Sequence, residues 1–119
     1  MHRIVHFDIP ADKPARAKKF YEKVFSWKIK KWNGPMEYWM VTTGKGPGIN
    51  GGLAKRQRGQ TVMNTISVPS VDDYAKKIKK SGGKITMPKA AIPGVGWFAT
   101  FQDTEGNMLG IMQNDRKAK

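Results

Sequence analysis

The two halves of the chain carry the same order of elements at the same spacing, and this internal repeat restricts the fold more than any single motif does. Arg3 to Ile9 alternates, with Val5, Phe7 and Ile9 on one face and His6 and Asp8 on the other, as in a half-buried strand ended by Pro10. Asp12 is placed to cap a helix from Pro14 to Phe25, whose residues Ala17, Phe20, Tyr21 and Val24 form one stripe. Strands then fit residues 27–32, 37–43 and 49–54, with Asn33-Gly34-Pro35 and Gly44-Lys45-Gly46-Pro47-Gly48 as the turns between them. After a polar connector, Lys55 to Gln60, the order restarts. A strand over 63–68 is stopped by Pro69, and a helix over 71–80 has Ser70 as cap and Gly82-Gly83 as terminator. Strands follow at 84–87, 96–102 and 108–113, and residues 88–95 read as a loop. Pro69 lies 59 residues after Pro10, and Gly110 lies 58 after Gly52, so the halves match in register.

The expected fold is therefore α+β: one domain over 1–119 built from two βαβββ modules, 1–58 and 61–116. Each first strand must turn its apolar side to its own helix, which leaves His6 and Asp8, and Thr65 and Ser67, facing the other way. In the last strands Leu53, Leu109 and Ile111 take the helix side, so Gly52, Met108, Gly110 and Met112 face the same way as His6. A mixed sheet with helices on its outer face is expected to curl, with the partly polar face lining a cleft. Gly52 and Gly110 then call for a reason, because glycine in mid-strand loses much backbone freedom and has no side chain to pack.

Composition narrows the chemistry. The chain has no cysteine, which excludes disulfides, thiolate nucleophiles and cysteine-based zinc sites and fits a reducing compartment. No run approaches the roughly 18 apolar residues that span a bilayer, and MHRIVHFDIP lacks the apolar core of a signal peptide. A cytoplasmic protein with no membrane partner is expected. Twenty-two Lys and Arg against nine Asp and Glu give a formal charge of +13. The lysines interleave with apolar residues at helical spacing, which fits solvated helix faces. The competing reading is a polyanion or nucleic-acid binder using Lys18, Lys19, Lys76, Lys77, Lys79, Lys80 and the tail Arg116, Lys117 and Lys119. The chain shows no aromatic-basic readout motif to go with it.

A first-strand histidine followed by ADKPARAKKFYEKVFSW, the Gly-Gly of GINGGL, the helix ending KKSGGKI, and IPGVGWFATFQDTEGN before the closing strand together resemble a known family. It is the glyoxalase/bleomycin-resistance/extradiol-dioxygenase superfamily, also called the vicinal oxygen chelate (VOC) superfamily. The resemblance covers nearly the whole chain. It implies two modules whose sheets form a cup, and in metal-dependent members four cup-facing ligands, one from the first and one from the last strand of each module. Carried onto this chain, those positions are His6, Gly52, Thr65 (with Asn64 as its neighbour alternative) and Gly110.

Of the four only His6 is a good ligand for a transition metal, and one imidazole falls short of the three protein ligands usual in a catalytic site. Asp8 is the sole recruit on the same face. The expectation is accordingly no cofactor. The chain reads as a metal-independent, bleomycin-resistance-like binder of a neutral or anionic small molecule, or as an enzyme of undefined substrate. A divalent-metal glyoxalase-like lyase or dioxygenase is the alternative. If His6 acts, it is as a proton acceptor or anion-binding group; the bland alternative is a hydrogen-bonded structural histidine. Trp39, Trp97, Phe101, Met108 and Met112 are expected to line the cleft with His6, Asp8, Gly52, Thr65 and Gly110, since aromatics and methionines pack against planar organic ligands. The resemblance also implies a homodimer, which would cover an exposed aromatic sheet face.

Overall fold

A computed structural model of the chain describes residues 2–119. Among the described residues there are eight strands and two helices, and these fall into two compact units: His6–Met63, and the residues before His6 together with Asn64–Lys119. No helix among them is long and apolar enough to cross a membrane.

In the first unit, β1 (Ile4–Ala11) leads to α1 (Pro14–Phe25), β2 (Lys28–Lys31), β3 (Trp39–Thr42) and β4 (Asn50–Lys55). The strands lie in the order β2-β3-β4-β1, with β1 and β4 parallel. Asp8 pairs with Gly52, and on the other side of β4 Met40 pairs with Gly52 and Trp39 with Leu53. Alternation then separates the faces. Ala11, Ile29, Val41 and Leu53 are buried under α1, where Phe7, Ile9, Tyr21, Trp27 and Trp39 pack against them. Tyr21 stacks on Trp27 with ring centroids 5.0 Å apart.

Two local expectations change here. Pro10 does not end β1: the ladder runs on because Ala11 O still accepts from Arg56 N at 2.8 Å and Pro10 O from the Arg56 guanidinium at 3.3 Å, and neither bond needs the missing proline N–H. Asp12 does not cap α1, whose N-cap is Lys13 without a side-chain bond; the Asp12 carboxylate accepts instead from Arg56 Nε at 2.9 Å. At the other end α1 closes on Ser26 in the left-handed region, φ 59°, with its N–H on Glu22 O. A non-glycine residue there carries strain that glycine avoids. Ser26→Gly is expected to stabilise the protein by roughly 0.5–1 kcal/mol in chemical denaturation.

The second unit repeats the plan with β5 (Met63–Ser67), α2 (Val71–Lys80), β6 (Lys84–Ile92), β7 (Gly96–Gln102) and β8 (Met108–Asn114). Its order is β5-β8-β7-β6, with β5 and β8 parallel, and Arg3 O accepts from Ser67 N at 2.9 Å at its margin. Ser70 Oγ accepts from Asp73 N at 3.1 Å, so α2 is capped as the sequence indicates. Val68, Val71, Ala99, Phe101 and Ile111 form its core, with Trp97 and Leu109 packed against them. Residues 88–92, expected as loop, belong to β6. Pro88 is tolerated because β6 is an edge strand whose pairing with β7 shifts register on either side of Met87.

The turn before β8 explains the DTEGN run. One Asp103 carboxylate oxygen accepts from Glu105 N (2.8 Å) and Asn107 N (2.9 Å), the other from Asn107 Nδ2 (3.1 Å). These bonds, those of Asn107 foremost, hold the Asp103 carboxyl below its ordinary pKa. Gly106 supplies the positive φ of 86° that closes the turn.

Candidate functional site

β1 places His6 and Asp8 on one face because they are two residues apart, and the chain entering β3 brings Tyr38 against both. The Tyr38 hydroxyl donates to Asp8 Oδ1 at 2.6 Å; His6 Nε2 lies 2.8 Å from the same hydroxyl and 3.2 Å from Asp8 Oδ1. His6 and Asp8 side chains remain about a third exposed, at 35% and 31%. The donors and acceptors assign the tautomer. Asp8 as a carboxylate only accepts, and the one phenol proton is already given to it. His6 Nε2 therefore carries a proton and takes the donor role toward both oxygens. Burial first, then the Asp8 charge and hydrogen bond, push the Tyr38 phenol well above its ordinary pKa, so it stays neutral. The cluster is an imidazole oriented by a carboxylate and a phenol.

Gly52 sits under this cluster. A Cβ on Gly52 would fall on the Tyr38 hydroxyl and ring. Gly52 is required by close approach of a side chain, and the room its missing side chain leaves is filled by Tyr38.

Gly110 has the matching relation in the second unit. It pairs with Thr65 on one side and Thr100 on the other, and a Cβ there would lie 2.7 Å from Phe98 Cε1 and 2.9 Å from Thr65 Oγ1. Phe98 pairs with Met112, and Met108 is exposed at the start of β8. Thr65 is buried, at 1% exposure, and its hydroxyl has no hydrogen-bond partner.

Three expected cleft residues lie elsewhere. Trp39 pairs with Leu53 and packs in the α1 core, while Trp97 and Phe101 pack in the α2 core with Ile111. The cause is strand parity: side chains alternate, so a face assigned by size instead of by register is wrong for the whole set. Trp97 also donates from its indole to Asp115 Oδ2 at 3.0 Å. The residues on the opposite face are their neighbours Tyr38 and Phe98, which sequence reasoning missed. Parity counted from Leu53 on β4 and from Ile111 on β8 would have found both.

The arrangement does not fit a divalent metal. His6 Nε2, the nitrogen that faces Asp8, is committed to Asp8 and Tyr38; the Gly52 and Gly110 positions are filled by Tyr38 and Phe98, and Thr65 offers only a neutral hydroxyl. Among the described residues no three of His, Cys, Asp and Glu gather closely enough to hold an ion. A groove of about 370 Å³ lies between α1 and the end of β1, lined by Ile9, Lys13, Arg16, Phe20, Tyr21 and Arg56. It opens on the helix side and contains none of the residues just described.

Comparison with known proteins agrees with this architecture. Residues 3–111 match the family model described as the Glyoxalase/Bleomycin resistance protein/Dioxygenase superfamily. A hypothetical protein from Bacillus halodurans superposes with a TM-score of 0.73 at 14% identity, over 98% of this chain and 97% of that one. The methylmalonyl-CoA epimerase of Streptomyces coelicolor, in complex with 2-nitronate-propionyl-CoA, gives 0.70 at 15% identity over 100% and 99%. A superfamily member from Vibrio splendidus gives 0.67 at 15% over 95% and 98%. At such identities the likeness is one of fold. No curated protein matches the sequence.

Proposed function

We propose, from the premise that this chain belongs to the glyoxalase/bleomycin resistance protein/dioxygenase superfamily, that it binds a neutral or anionic small molecule without a metal, with His6 as the group that meets the ligand. The observation that carries this reading is the Tyr38 hydroxyl seated over Gly52, where metal-dependent relatives would place a ligand side chain. Tyr38 and Asp8 fix the imidazole ring, and a carboxylate on its Nε2 side stabilises the imidazolium that forms if Nδ1 takes a proton from a bound acid or carbonyl compound. The formal charge of +13 favours an anion in the encounter. A homodimer and a cytoplasmic setting go with this reading, supported by the family resemblance and the cysteine-free composition.

The test is a thermal-shift screen of protein dialysed against EDTA, using small carboxylic acids, neutral carbonyl compounds and methylmalonyl-CoA. This ester is bound in one of the structural neighbours, a methylmalonyl-CoA epimerase. Hits are then titrated by calorimetry into wild type and His6→Ala. The expected result is a compound whose affinity is unchanged by EDTA and about 10- to 100-fold weaker in His6→Ala, the worth of one hydrogen bond to a charged group. Binding that depends on restored metal, or that ignores His6, contradicts the reading.

A further inference from the structure

Thr65 presents an unusual combination. Its hydroxyl is buried at 1% exposure and unpaired, and it borders the same space over Gly110 as the edge of the Phe98 ring: Phe98 Cε1 and Cζ lie 2.7 and 2.8 Å, and Thr65 Oγ1 2.9 Å, from the point a Gly110 Cβ would occupy. A buried hydroxyl without a partner costs stability that an apolar residue of the same shape would not. Neighbouring polar groups do not relieve it: the Thr100 hydroxyl on the strand beyond Gly110 is engaged with Thr86 Oγ1 at 2.7 Å. The Phe98 ring is not part of the buried core. Phe98 is only half-buried and points to the face opposite Trp97 and Phe101, across from the partly exposed Met112. Beneath it Gly110 offers bare backbone and no side chain.

We infer that Phe98 is a movable cover over a small polar subsite in the second module, whose floor is Gly110 and whose single hydrogen-bonding group is the Thr65 hydroxyl. Its ligand is a planar organic group bearing one oxygen, hydroxyl or carbonyl, that takes the place of the Phe98 ring and pairs with Thr65. Thr65 is a specificity residue in this account, and Phe98 sets the cost of entry. The inference deepens the small-molecule reading given above, but its test uses neither His6 nor that reading's ligands, so either can fail alone.

Phe98→Ala supplies the test, with phenol and toluene as probes that differ by one hydroxyl. Phe98→Ala is expected to bind phenol at least tenfold more tightly than toluene by calorimetry, wild type to bind both weakly, and Phe98→Ala/Thr65→Val to lose the preference. Equal binding of the two probes, or a phenol preference that survives Thr65→Val, overturns the inference. Should Phe98→Ala not fold, Thr65→Val in the otherwise unchanged protein decides the point. An unpaired hydroxyl predicts a melting temperature unchanged or raised, and a fall of several degrees shows that the hydroxyl was already partnered and overturns the subsite.

Discussion

Gly52→Ala is expected to destabilise the protein by about 1–3 kcal/mol, the usual cost of forcing atoms into filled space. It should also break the His6, Asp8 and Tyr38 cluster, because the new methyl group falls on the Tyr38 hydroxyl and ring. The penalty belongs to the pair of residues and not to glycine's backbone: Gly52 lies in regular strand pairing with Asp8 and Met40 and is not among the positive-φ glycines. Removing the phenol first should therefore remove most of the effect. In Tyr38→Ala, adding Gly52→Ala is expected to cost little, and the double-mutant cycle in urea should return a coupling comparable to the single-mutant loss. Additive losses would mean that the glycine serves the strand and not the side chain. The same geometry bears on any attempt to build a metal site here: Gly52→Glu alone meets Tyr38 and cannot turn its carboxylate toward His6.

The second large effect is expected in alkali. Tyr38 has its phenol pKa raised by burial and by the adjacent Asp8 carboxylate, so the folded protein holds it neutral where an unfolded chain would let it ionise. The contribution is fully present below the unfolded value of about 10 and declines as pH rises above it, since only the unfolded state then gains by losing the proton. Wild type should lose stability between pH 10 and 11 more steeply than Tyr38→Phe, measured as urea midpoints at matched salt. The phenolate absorbance of the folded protein should match that of Tyr38→Phe through the same range. Parallel pH profiles would place Tyr38 in contact with water and undo the tautomer assigned to His6.

Much of this was legible in the sequence, and the failures have one physical source. The repeat of the element order and the second helix with its Ser70 cap follow from periodicity and spacing, which are local. Pro10 misled because a proline ends a strand only where its absent N–H was needed, and that depends on the partner strand. Trp39, Trp97 and Phe101 misled because their size suggested a ligand cleft, whereas the register of β3 on β4 and of β7 on β8 turns them to the helices. The same register brings Tyr38 and Phe98 to the two glycines. Once the neighbouring strands are in place, Gly52 and Gly110 are no longer empty positions on the sheet; each is covered by an aromatic ring, one of which carries the hydroxyl that holds His6.

If the Tyr38 hydroxyl has replaced a metal ligand, the folded protein holds no transition-metal ion at His6. The most direct measurement is metal content by elemental analysis, on protein loaded with zinc, nickel, manganese or iron and then passed through a desalting column, for wild type and for Tyr38→Ala/Gly52→Glu. Wild type is expected to retain far less than one ion per chain, and any gain is expected only in the variant that trades the phenol for a carboxylate beside His6. Wild-type protein that retains close to one transition-metal ion per chain, and loses it on His6→Ala, would contradict the account.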